Sequence, residues 1–176
     1  MLRTTLAAIA LIVAVPLAAF AHGPSRQKVV QSVEINAAPD KVWAAIGNFQ
    51  DMGWHPAIEK STGTGENGAG AKRTLTLKGG ATIDEALTSY NAGQKSYAYE
   101  ITAVDVKTLP VSNYSSSIRV TGEGAKSTVE WKGAFYRGYV NNDPPPELND
   151  EAAIKAVTGV YKAGLDALKA KLEAGG

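Results

Sequence analysis

Hydrophobic residues change period several times along this chain, and each change marks an element. In QKVVQSVEINA (27–37), Val29, Val33 and Ile35 alternate with polar neighbours, which predicts a β-strand. In APDKVWAAIGNF (38–49), Val42, Ile46 and Phe49 recur at helical spacing, and Pro39 suits a first helical turn. QDMGWHPAI (50–58) is broken by Gly53 and Pro56, so the chain bends there in a turn or short helical elbow. The expected result is a short helix pair after the first strand.

Strand patterns then dominate. AKRTLTLKGG sets Leu75 and Leu77 on one face, and ATIDEALTSY sets Ile83, Glu85 and Leu87. SYAYEITAVD groups Tyr97, Tyr99 and Ile101, and VSNYSSSIRVTGEG groups Tyr114, Ser116, Ile118 and Val120. STVEWKGAFYRG groups Val129, Trp131, Gly133, Phe135 and Arg137. The separators KGG, NAGQ and GEGAK read as hairpin loops, so the sheet is mostly antiparallel. The chain closes with a long helix, capped at Asn149 or Asp150. Its apolar stripe is Ile154, Val157, Tyr161, Leu165, Leu168 and Leu172, with Lys155, Lys162, Asp166 and Lys169 opposite. Gly164 costs about 1 kcal/mol against Ala in mid-helix, so on the buried side it leaves room either for a ligand or for a closely packed strand. The expected class is α+β: one curved antiparallel sheet wrapped around the C-terminal helix, with a cavity between them.

The N-terminus changes the picture of where the protein works. Arg3, the apolar run LAAIALIVAVPLAAF and the small-residue sequence AFA read as a secretory signal peptide over residues 1–21. The expected mature chain is a single domain, 22–176, in the periplasm without a membrane anchor. Removing Arg3 from the 18 basic residues leaves 17 against 17 acidic ones. That balance gives no electrostatic case for nucleic acid. The absence of cysteine removes disulfides, thiolate metal sites, thiol nucleophiles and covalent haem attachment.

VEINAAPDKVWAAIGNFQDMGWHPAIEKS, GAKRTLTL, IDEALTSYN, SYAYEI and STVEWKGAFY together resemble the START-like helix-grip superfamily, also called SRPBCC, and its polyketide cyclase/dehydrase and lipid-transport group. The carrying motifs are I-x-x-A-P-x-x-V-W (35–43), the W-x-P elbow and the late W-x-x-x-F strand. NYSSSIRV and EWKGAFYRGYVNNDPPPELNDEAAIKAVTGVYKAGLDALK also resemble periplasmic methanol-oxidation accessory proteins of the MxaD type. That likeness implies a non-enzymatic helper of a periplasmic dehydrogenase and its cytochrome c.

In such a fold, Trp54 would cap one end of the cavity, and His55 would line its mouth or face solvent. Glu85 on an inward face needs a partner or a raised pKa, and Arg137, on the face of Trp131 and Phe135, is the candidate. Tyr97, Tyr99, Tyr114, Trp131, Phe135, Tyr161 and Gly164 complete the cavity candidates. A cyclase- or hydrolase-like enzyme using His55 and Glu85 is the alternative function. No cofactor and no tightly bound metal are expected; the one chelate with the right chemistry would join a processed His22 to His55 around copper. Finally, residues 141–154 carry Asp143, Glu147, Asp150 and Glu151 and no basic residue, and three prolines stiffen the stretch. Asp150 and Glu151 suit the helix dipole. Asp143 and Glu147, beside the aromatic approach FYRGYV, are the candidate contacts to a protein partner.

Overall fold

The computed structural model describes residues 23–174. The expected signal peptide and His22 lie outside the described residues. β1 (Gln27–Ile35) leads into α1 (Pro39–Ile46). Six strands follow: β2 (Ile58–Thr64), β3 (Lys72–Leu77), β4 (Thr82–Asn91), β5 (Ser96–Val104), β6 (Val111–Glu123) and β7 (Lys126–Arg137). A 3-10 turn (Pro146–Leu148) precedes the 25-residue α2 (Asp150–Ala174). The strands form one sheet in the order β1-β7-β6-β5-β4-β3-β2, every neighbouring pair antiparallel.

The alternation read from the sequence sets the inner face. Leu75, Leu87, Tyr97, Tyr99, Ile118, Val120, Val129, Trp131 and Phe135 are all buried, and their alternates are half-buried or exposed. Register shifts in β4 and β6 bend the sheet; the one in β6 falls between Ser112 and Ser115, with Asn113 at φ 45°. Such bulges increase local twist, which lets one sheet curl about a single helix.

Three expectations change. The elbow is a set of turns and not a second short helix: His55 N–H donates to the Met52 carbonyl and Ile58 N–H to the His55 carbonyl, while Gly53 and Pro56 stop propagation. β2 is a strand that periodicity does not announce, because it is a sheet edge with an almost wholly exposed surface. On α2, Ile154 is exposed and Ala153 takes the buried place, along with Val157, Tyr161, Gly164, Leu165, Leu168 and Leu172. A 3.6-residue period runs through either residue, so spacing alone does not choose between them. Asn149 is the cap, its Oδ1 accepting the Ala152 N–H at 2.8 Å. No helix among the described residues is long and apolar enough to cross a membrane.

Candidate functional site

Position 55 answers to Gly164. A Cβ added at Gly164 would lie 2.5 Å from His55 Cδ2 and 3.0 Å from the Trp131 ring. The imidazole therefore occupies the space that the glycine leaves, and no ligand slot opens at that point. His55 is 3% exposed, so it neither lines a mouth nor faces solvent. Nε2 lies 3.0 Å from the Val160 carbonyl, and Nδ1 accepts the Ala57 N–H at 3.2 Å. Both nitrogens are satisfied only by the neutral Nε2–H tautomer. Burial lowers the pKa of His55, and the bond to Val160 opposes that only in part. Trp54 is buried too, its ring 5.5 Å from that of Trp131, with Nε1 unpartnered.

Glu85 does point inward, but its partner is Arg73 and not Arg137. The hairpin between β3 and β4 sets Arg73 directly opposite Glu85, with Nε donating to Oε2 at 2.6 Å. Arg73 also donates to the Phe49 carbonyl at 2.6 Å, and its guanidinium lies 4.2 Å from the Phe49 ring centroid. Burial works against the Arg73 charge; Glu85, Tyr97 and Tyr99 more than restore it. Burial raises the Glu85 carboxyl against the pull of Arg73. Arg73 Nη2 and the Tyr97 hydroxyl are buried without a hydrogen-bond partner. Arg137 is taken by the loop that follows β7. It donates to the carbonyls of Tyr139 (2.8 Å) and Asn141 (2.9 Å) and to Asp150 Oδ2 (3.3 Å). Arg73 escaped the sequence reading although it shares the Leu75 and Leu77 face.

The remaining aromatics fill the space between α2 and the sheet. Tyr161 stacks on Trp131 at 4.4 Å, and its hydroxyl meets those of Tyr114 (2.6 Å) and Ser116 (3.0 Å). Trp131 Nε1 donates to Tyr99 Oη (3.1 Å) and to Ser116 Oγ (3.0 Å). Phe135 stacks against Tyr114. A side chain at Gly133 would collide with the Tyr161 hydroxyl. Burial raises Tyr97 and Tyr161 to about 12, and holds Tyr99 and Tyr114 well above the ordinary phenol value. These phenols stay neutral and serve as hydrogen-bonding core. A concavity of about 410 Å³ lies instead on the outer face of the sheet, beside Lys28, Val30 and Lys132.

Among the described residues, no three His, Cys, Asp or Glu side chains gather as a metal site would require. With both ring nitrogens engaged, His55 has no free donor for the copper chelate. Asp143 and Glu147 are exposed on the 139–150 segment, and Asp143 adopts φ 53°. Of the FYRGYV approach, Phe135 is buried, Tyr136 and Tyr139 are half-buried, and Val140 is 57% exposed. The apolar part of that surface is therefore Val140 rather than an aromatic face.

A curved antiparallel sheet gripping a C-terminal helix, with a W-x-P elbow at its lip, defines the START-like helix-grip class. The chain belongs to the polyketide cyclase / dehydrase and lipid transport family, which it matches over residues 26–173. It is similar to the protein XoxI from Bacillus cereus, with 34% identity over 82% of this chain and 94% of that one, at a TM-score of 0.69. An uncharacterized protein from Bacillus thuringiensis is equally similar: 34% identity, 83% and 98% covered, TM-score 0.69. Norcoclaurine synthase from Thalictrum flavum, solved with dopamine and hydroxybenzaldehyde, shares the fold alone, with 16% identity, 95% and 98% covered, and a TM-score of 0.64. No curated protein matches the chain.

Proposed function

We propose that this protein is an exported, non-enzymatic accessory factor that assists a periplasmic methanol dehydrogenase and its cytochrome c. Export is supported by Arg3, the apolar run and AFA at the N-terminus. The choice of partner is supported by the likeness of NYSSSIRV and of residues 130–169 to periplasmic methanol-oxidation accessory proteins.

One observation carries the non-enzymatic reading. His55 and Glu85, the two groups an enzyme would use, are each committed elsewhere: the imidazole to Val160 and Ala57, the carboxylate to Arg73. A general base needs a lone pair within reach of a substrate proton, and both groups are buried, His55 with its one lone pair on the Ala57 N–H and Glu85 against the Arg73 guanidinium. The surface left for work is the 139–151 segment, with exposed Asp143, Glu147 and Val140, held in shape by Arg137. An apolar small molecule, the other partner this family suggests, would bind only by displacing the aromatic fill.

Native mass spectrometry of the protein isolated from its own periplasm tests the reading. The expected species is a chain beginning at His22, associated with a dehydrogenase or cytochrome and free of small-molecule adducts. A stoichiometric small molecule with no protein partner would overturn the accessory role in favour of a ligand-handling one.

A further inference from the structure

His55 fastens the elbow to α2 through two bonds that require opposite states of the two ring nitrogens. Nε2 must carry hydrogen to reach the Val160 carbonyl, and Nδ1 must be bare to accept the Ala57 N–H. A second proton has only Nδ1 to go to. There it would point at the Ala57 N–H, so that two donors meet and one bond is lost. The resulting cation would sit among apolar surfaces: Trp54 from the elbow, the edge of Trp131 from β7 at 6.1 Å, and the Gly164 backbone from α2.

No nearby charge offsets that cation. The buried titratable group that α2 contributes beside Trp131 is Tyr161, neutral and hydrogen-bonded to Tyr114 and Ser116. From β7, Arg137 is turned away into the following loop, while half-buried Glu130 and exposed Lys132 lie on the outer face, paired with each other. Asp51, in the elbow itself, is exposed and caps the Gly53 N–H. On the neighbouring turns of α2, Lys162 and Asp166 point to solvent. The elbow is otherwise held by its own turn bonds, from His55 N–H to Met52 and from Ile58 N–H to His55, and by one tie to the β3–β4 turn, where Lys78 N–H donates to the Ala57 carbonyl. None of these is a strand-pairing bond, so the elbow can swing about the Ala57 tie without breaking the sheet. Trp54 Nε1, buried without a partner, regains water when it does.

We propose that residues 51–57 form a proton-released lid. Neutral His55 latches it onto α2, and protonated His55 releases it, baring Trp54, the Trp131 edge and the Gly164 backbone as a slot for an apolar, aromatic-sized ligand. This holds whether or not the accessory role does, because it rests on the latch geometry alone. By linkage, the closed lid disfavours the proton and the proton disfavours the closed lid. Opening therefore grows as pH falls through the ordinary imidazole value, about 6.5, toward the lower value of the latched ring.

The test is amide hydrogen exchange, read as protection factors so that intrinsic rates cancel, with binding of the dye 8-anilinonaphthalene-1-sulfonate in parallel. Between about pH 7.5 and about pH 5, spanning the imidazole range, Ala57 protection should fall roughly tenfold or more while Val129 in β7 keeps its own. Dye emission should rise over the same interval. His55→Gln keeps a donor for Val160 but cannot titrate, so its protection and dye emission should be flat with pH. Gly164→Ala presses on the ring directly and should release Ala57 even at about pH 7.5. It serves as the independent arm should His55→Gln fold poorly. The proposal fails if His55 titrates by NMR while Ala57 stays protected. It fails equally if Ala57 and Val129 lose protection together, since that is global unfolding and not a lid.

Discussion

Arg73 and Glu85 each need the other. A buried guanidinium or carboxylate left alone costs about 3–5 kcal/mol, whereas replacing both with apolar residues is often neutral. Glu85→Leu or Arg73→Met alone should therefore lower stability by roughly that amount in urea unfolding, and the double variant should cost less than the two singles added. The double variant will not recover fully, because the Phe49 carbonyl loses its donor. Strictly additive losses would mean the pair is not coupled. His55 gives a pH signature. Its native pKa is lowered, so its contribution is complete above the unfolded value of about 6.5 and falls away as pH drops through it toward the native value. Chemical denaturation across that range should show stability declining in the wild type, with this component missing in His55→Gln. The sequence already held the means to pair Arg73 with Glu85. A hairpin closing on KGG at Lys78–Gly80 puts 75 opposite 83 and 73 opposite 85. A charged residue on an inward strand face runs against the hydrophobic pattern, and that hid it. The fit of His55 to Gly164 was not legible, since it joins positions more than a hundred residues apart through shape alone.

Periodicity recovered six of the seven strands and both helices because each buries one face. It failed at β2, which buries almost nothing, and at the elbow, whose turns have no period. At α2 it gave the stripe but chose Ile154 over Ala153, because spacing cannot tell which of two adjacent residues faces the core. The start of α2 is held from two sides, by the Asn149 cap and by Arg137 reaching Asp150. Asn149→Ala should cost about 1 kcal/mol, the usual worth of a cap, with the helix retained by circular dichroism. Arg137→Met should loosen the loop as well, because the Tyr139 and Asn141 carbonyls lose their donor. Faster exchange of the Tyr139 amide, which bonds the Leu148 carbonyl, would report it. An unchanged rate would show that the prolines alone hold the segment.

As a whole, the molecule turns its largest polar side chains inward and pairs most but not all of their polar atoms, while the 139–151 segment presents an acidic, partly apolar surface. Charged rim contacts act mainly on association rate and on its dependence on salt, and the two exposed carboxylates Asp143 and Glu147, on the same segment as exposed Val140, suit a basic partner surface. Under the proposed accessory role, such a contact is the means by which the chain would act on other proteins' electron transfer. The direct measurement is the rate of cytochrome c reduction by the periplasmic methanol dehydrogenase, with the mature protein added at low and at high ionic strength. The account predicts that wild-type protein raises the rate, that salt abolishes the gain, and that Asp143→Lys with Glu147→Lys removes it while the variant stays folded. A gain that survives the double charge reversal and high salt, or no gain from the wild type at all, would contradict the account.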